Sequence, residues 1–282
     1  MKEYSLDLIG LRTVLRTPHP ITISDNLQPF LCAPHTETDC LIELQSADRL
    51  PAFSEGGVWH GPEYYDCLGG SMRIFHCTAP HLSAFAVTEL LENGNIRILV
   101  LPDYLSYFAG STGIFNRIGL ETLLLQHFGL LLHASLIKYN GKAIAFAGPS
   151  GVGKSTQANL WHQYLDAKIL NGDRAALRKM LHGWDAYGSP YAGTSGIYQN
   201  DSAPLTAIVL LAQSEENRLE RLNKTESFRL LYPEVSMHRW DKYFVAKVTD
   251  LCLQLVSEVP VFLLSCRPEE SAALLVKKGL LL

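Results

Sequence analysis

The chain has 282 residues, 47% of them hydrophobic, enough to bury a sizeable core and to fill one large domain or two smaller ones; two are expected. A formal net charge of -4 supplies no basic field of the kind that nucleic acid or an anionic membrane surface requires, so neither is expected as a partner. The six cysteines, Cys32, Cys40, Cys67, Cys77, Cys252 and Cys266, are scattered without a CxxC pair, which argues against a zinc site or a disulfide framework and suits reduced thiols in a cytoplasm.

The opening Met1-Lys2-Glu3-Tyr4-Ser5, with Asp7 soon after, lacks the basic region and long apolar run of a secretory signal, and a cytoplasmic location is expected. Residues 1–110 carry short apolar runs such as Ile21-Thr22-Ile23 and Ile96-Arg97-Ile98-Leu99-Val100, divided by Pro, Asp, Asn and Gly clusters. That pattern predicts a β-rich domain, a structural or acceptor-recognition module, with no nucleotide or metal motif and no repeat. Residues 112–127 place Ile114, Ile118, Leu120, Leu123, Leu124 and Leu125 at helical spacing, with Gly129 positioned to end the helix, so a second domain is expected over residues 111–282. The apolar stretch 120–137 is interrupted by Glu121, Gln126, His127 and His133 and does not read as a membrane span.

Next come two apolar runs, 130–137 and 143–147, around Asn140-Gly141. An Asn-Gly pair in this setting predicts a tight hairpin, because both central positions must take positive φ. After it the pattern predicts a helix over 156–165, strands over 167–170 and 205–212, a helix over 241–258, a strand over 259–265 and a closing helix over 268–278. This alternation indicates an α/β core.

Gly148-Pro149-Ser150-Gly151-Val152-Gly153-Lys154-Ser155 satisfies GxxxxGK[ST], directly after an apolar strand and before a helix. Glycines let the backbone wrap so that its N–H groups and the helix N-terminus point at one anion. Gly148, Ser150, Gly151, Val152, Gly153, Lys154, Ser155 and Thr156 are therefore the expected phosphate-binding residues. Lys154, facing the surface, would neutralise the terminal phosphates of ATP, and the Ser155 hydroxyl would bind Mg²⁺.

A carboxylate is still needed for metal or base duty. The strand ends at Gln213 and Ser265 carry none, whereas Asn171-Gly172-Asp173 places Asp173 at the edge of an apolar run; Asp185 and Asp201 are held in reserve. His133 lies on the strand that precedes the hairpin, near the mouth of the loop, where an imidazole can orient or relay a proton; a hydrogen-bonded core histidine is the alternative. Residues 184–198, with three glycines among hydroxyls and aromatics, read either as a wall over the phosphate site or as an ordinary surface loop. Met237-His238-Arg239-Trp240-Asp241 reads as a helix cap with Arg239 on the surface.

His133-Ala134-Ser135-Leu136-Ile137, the Asn-Gly hairpin, the glycine loop and Asn171-Gly172-Asp173-Arg174 together resemble the catalytic domain of the HPr kinase/phosphorylase family, whose core is shared with phosphoenolpyruvate carboxykinase. The resemblance implies an α/β fold in which a P-loop core with a mixed sheet follows a smaller β-rich domain. It gives His133, Lys154 and Asp173 catalytic roles and makes Ser155 and Asp173 the Mg²⁺ ligands. The implied activity is Mg²⁺- and ATP-dependent phosphoryl transfer to a hydroxyl, with a serine of a peptide or protein as leading acceptor. A small-molecule kinase and a catalytically weak nucleotide-binding module are the alternatives. The chain departs from the family at Gly172, where two consecutive aspartates are the rule. The family's substrate-contacting loop is not recognisable either, which argues against HPr itself; the looser HPr kinase-like enzymes found beside peptide-modifying machinery are the better match. Oligomeric state is not encoded in any motif, and a homo-oligomer stays open.

Overall fold

Two segments open the chain, β1 (Lys2–Leu8) and β2 (Leu11–Thr17); β2 buries every second side chain, as a strand with one covered face must, and β1 buries Leu6 and Leu8 at its end. The computed structural model describes residues 1–68, 71–78, 83–191 and 193–282, with the backbone alone for Cys67, Leu68, Ser71 and Thr194. The chain divides into two compact units, Met1–Leu123 and Leu124–Leu282.

In the first unit β3 (Cys40–Ser46), β4 (Val58–His60), β5 (Glu63–Leu68), β6 (Ser71–Thr78), β7 (Ser83–Leu90) and β8 (Ile96–Val100) complete a sheet in the order β1-β2-β3-β8-β7-β6-β5-β4, eight strands among the described residues. It is mixed, since β3 runs parallel to both β2 and β8 while the other neighbours are antiparallel. The run Ile21-Thr22-Ile23 is not a strand: Thr22 makes one isolated bridge, to Gly110. Pro18 and Pro20 just before it remove ladder donors and restrict the backbone.

The helix expected over 112–127 is two helices, α1 (Ser111–Phe115) and α2 (Leu120–Gln126), because Gly119 takes φ 70 and breaks the run. The units part inside α2, later than residue 110. Gly129 does not end the helix; Phe128 supplies the positive φ (56°) and Gly129 opens β9 (Gly129–Tyr139).

The second unit is built on two long strands, β9 and β14 (Ser202–Gln213), that each pair with three neighbours. β9 first pairs β12 (Arg174–Met180), from Gly129↔Arg178 to His133↔Arg174, then pairs β10 (Lys142–Ala147), from Ala134↔Ala147 to Tyr139↔Lys142. Asn140 and Gly141, at φ 48° and 74°, make the tight turn between β9 and β10. β11 (Lys168–Asn171), which follows α3 (Lys154–Leu165), also pairs β9, and β13 (Gly183–Tyr187) joins β12 to β14. β14 then runs parallel to β10 on one side and to β16 (Val261–Cys266) on the other, with β15 (Arg218–Arg221) as the antiparallel edge.

Alternation sorts the core onto two faces. From β10, Ala143, Ala145 and Ala147 pack with Leu132, Leu136 and the apolar side of α5 (Lys242–Glu258), which follows α4 (Lys224–Leu231). Ile144 and Phe146 face the other way, against Trp161 of α3 and Val276 of α6 (Glu270–Gly279). The fold is thus α/β with two mixed sheets, and among the described residues no helix is long and apolar enough to cross a membrane.

Candidate functional site

β10 ends at Ala147, and the chain must cross the strand end in six residues, 148–153, to start α3 at Lys154. Gly148, Gly151 and Gly153 hold φ of 142°, 80° and 115°, and a Cβ on Gly151 or Gly153 would meet nothing within 4 Å. Conformation and not space demands glycine at those two positions. Gly153 is the N-cap of α3 and has no side chain to cover the amides of the first turn, so the helix starts on uncapped N–H groups, the arrangement that can receive an anion. Lys154 does not face the surface: it is 7% exposed, and its ammonium donates to the carbonyls of Gly148 (2.8 Å) and Pro149 (3.1 Å). An ammonium held beside the loop takes the loop's own oxygens as acceptors. Burial pulls its pKa below the ordinary lysine value, against Glu234 and Asp173, whose charges raise it.

Asp173 is presented by a turn built on the fully buried Asn171. The Asn171 Oδ1 accepts from the N–H of Asp173 (2.9 Å) and of Arg174 (2.6 Å), while its Nδ2 donates to the carbonyls of Ser189 and Tyr191, both at 2.9 Å. The carbonyl of Gly172 then accepts from Ser135 Oγ at 2.9 Å and from Ser155 Oγ at 3.4 Å. Through that one oxygen the start of α3 and the turn carrying Asp173 are neighbours.

His133 occupies the position where β9 leaves β12 for β10. The even-numbered Leu130, Leu132, Ala134 and Leu136 pack on the α5 side, so His133 and Ser135 project on the α3 side, as Ile137 does. The His133 Nε2 lies 3.3 Å from Asp173 Oδ1 and its Nδ1 3.6 Å from Glu234 Oε2. Glu234, with its side chain 11% exposed, ends a 3-10 turn (Tyr232–Glu234) that is pinned to β9 by the Leu132↔Val235 bridge and by a 2.8 Å bond from the Ser236 N–H to the Leu131 carbonyl.

His133, Lys154, Ser155 and Asp173 are therefore brought together, and Glu234 joins them although no motif marks it. Asp185 is engaged with His182, and Asp201 is held by Lys138 and Lys168, so neither reserve carboxylate is directed here. Arg239 bonds the Pro233 carbonyl at 3.3 Å, and Asp241 caps α5 through the N–H groups of Tyr243 and Phe244. Of residues 184–198, Trp184 to Tyr187 belong to β13, Ala192 lies outside the described residues, and the 3-10 turn Gly193–Ser195 packs against the turn that carries Asp173. A Cβ on Gly193 would come within 2.6 Å of Asp173 Cγ.

Among the described residues no group of three His, Cys, Asp or Glu side chains is arranged to hold a metal ion. Mg²⁺ at a phosphate site needs fewer, since it keeps waters and takes one or two protein oxygens beside the phosphates. The hydroxyl of Ser155 and the part-exposed carboxylate of Asp173 are hard oxygen donors that fit this requirement.

No curated protein matches the chain. A solved structure, the HPr(Ser) kinase/phosphatase from Coxiella burnetii, is similar over 52% of this chain and 86% of that one, at 12% identity and a TM-score of 0.32, a distant likeness. The family model of the SynChlorMet cassette protein ScmC matches residues 120–269, from α2 through the glycine loop, the Asp173 turn and β16. That span is more than half of the 282 residues, and the chain belongs to the ScmC family.

Proposed function

We propose that this protein is a Mg²⁺-dependent phosphotransferase that moves the terminal phosphoryl group of ATP to a hydroxyl, with a serine of a peptide or protein as acceptor. The reading is carried by the convergence of an uncapped, glycine-shaped helix start with an Asp173–His133–Glu234 cluster reached through the Gly172 carbonyl. The resemblance of the same segments to the HPr kinase family supports it.

The loop amides and Lys154 hold the phosphates, and Lys154 exchanges two carbonyl acceptors for phosphate oxygens. Ser155 and Asp173 would hold Mg²⁺, which supplies charge neutralisation across the terminal phosphates. The acceptor oxygen forms a bond to the terminal phosphorus as the bond from that phosphorus to its bridging oxygen breaks. ADP leaves, and the hydroxyl proton passes to Asp173 or onward to His133. His133, flanked by Asp173 and Glu234, orients the base, and Glu234 supplies the second carboxylate that Gly172 lacks. Residues 111–282 form the kinase domain on this reading, and residues 1–110 select the acceptor.

A nucleotide-responsive module without transfer is the second reading, favoured by one observation: Ser195 fills the space beside Gly172 that a second aspartate would need. Incubation with γ-labelled ATP and a lysate of the source organism, followed by mass spectrometry of labelled species, separates the two. A labelled peptide or protein supports the kinase; retained nucleotide with no transferred label supports the module.

A further inference from the structure

β10, β14 and β16 run parallel, so their C-terminal ends lie at one edge of the sheet, the edge at which open α/β sheets bind ligands. A cavity of about 570 Å³ opens there beside the glycine loop, lined among others by Val152, Thr156, Gln157, Leu211, Cys266 and Arg267. Its volume lies in the range of small-molecule sites. It does not include His133, Asp173 or Glu234. Gly151, Val152, Gly153 and Thr156 of the phosphate loop form one side of it, and the side formed by Gln157, Leu211, Cys266 and Arg267 is what the phosphate reading leaves unexplained.

Gln157, on the first turn of α3, is 2% exposed. Its Nε2 donates to Cys266 Sγ at 3.3 Å, while its Oε1 is buried and has no hydrogen-bond partner among the described residues. A buried amide oxygen left without a donor is costly, and in a residue that lines a cavity it points to a ligand that brings the donor. Val152 and Leu211 add apolar surface for a flat ring, and Arg267, paired with Glu215, stands on the same wall.

We propose that this cavity is the nucleobase subsite and that Gln157 Oε1 accepts a hydrogen bond from the 6-amino group of adenine. The proposal rests on the phosphotransferase reading, since the triphosphate in the loop brings the base to this edge. With its Nε2 on Cys266 Sγ, the Gln157 amide offers its oxygen, and the site selects a base carrying a donor at that position.

Isothermal titration of the full chain with Mg²⁺ and three probes tests it: ATP, purine riboside triphosphate, which differs only in lacking the 6-amino group, and inorganic tripolyphosphate. ATP should bind about tenfold more tightly than purine riboside triphosphate, the scale of one buried hydrogen bond. Gln157→Met, close in shape but without the acceptor, should bring the two nucleotides to within about twofold and leave tripolyphosphate unchanged. Photolabelling of the wild-type chain with 8-azido-ATP needs no variant to fold, and should mark peptides carrying residues 150–157 or 264–268. Equal affinity of the two nucleotides in the wild type, or a label elsewhere, overturns the subsite while tripolyphosphate binding preserves the phosphate reading. Failure of both ATP and tripolyphosphate to bind removes both.

Discussion

Ser195 and Gly172 exclude one another's bulk: a Cβ built on Gly172 falls 2.1 Å from Ser195 Oγ and 2.4 Å from its Cβ. Gly172 is not among the residues with positive φ, so the constraint is one of space and not of backbone conformation. The residue that breaks the double-aspartate pattern of the resembled family is thus matched to the loop packed on it.

Gly172→Asp should lower stability by about 1–3 kcal/mol, the usual cost of forcing atoms into a packed site. Gly172→Asp combined with Ser195→Gly removes the colliding atoms and should recover most of that loss. Thermal melts of the two variants beside the parent decide the matter. An unaltered midpoint in the single variant would show that the loop yields freely.

Lys154→Ala should reduce phosphoryl transfer at least about a hundredfold, the scale of losing one preorganised electrostatic contact. Its melting curve should stay close to that of the parent, because burial already opposes the charge and only two carbonyl contacts within the loop are lost. Full activity with a normal melt would contradict the phosphate role of the loop.

Asp173→Asn keeps shape but loses the charge that holds Mg²⁺ or takes a proton, so transfer should collapse while ATP binding persists. His133→Gln should slow transfer less and mainly alter its pH profile, and Glu234→Gln should resemble His133→Gln because it acts through the imidazole 3.6 Å away. Rates across pH for the three variants, with ATP titrations alongside, test the order of severity. Full transfer by Asp173→Asn would dismiss this carboxylate from the chemistry.

Asp201 ties Lys138 of β9, Lys168 of β11 and the Ser202 N–H at the start of β14. Burial raises its pKa, but the hydrogen bonds from Lys138, Lys168 and Ser202 outweigh it, and the folded-state value lies below the ordinary 3.8. A depressed acid contributes stability that is present above 3.8 and is lost as the pH falls through the folded value. Asp201→Asn should therefore be less stable than the parent at neutral pH, and the gap should close as the pH falls below 3.8. Denaturant melts from pH 7 to pH 2 measure both slopes, and parallel curves would refute the coupling.

The features legible in the amino-acid order are those made by neighbours along the chain. The Asn140-Gly141 turn, the loop from Gly148 to Ser155 and the helix it starts depend on local φ preferences, and the helix over 242–258 depends on a 3.6-residue period; both kinds of information survive in a linear reading. The break at Gly119 was equally local, yet the apolar period on either side of it masks it. Glu234, Ser195 and Gln157 owe their positions to the tertiary structure alone. Glu234 reaches His133 because the chain near Val235 bridges Leu132, Ser195 reaches Gly172 because its loop returns past β11, and Gln157 meets Cys266 because α3 crosses the end of β16. None of these approaches leaves a spacing in the sequence, since side chains from distant segments meet only after burial of the two apolar faces has set which strands are neighbours.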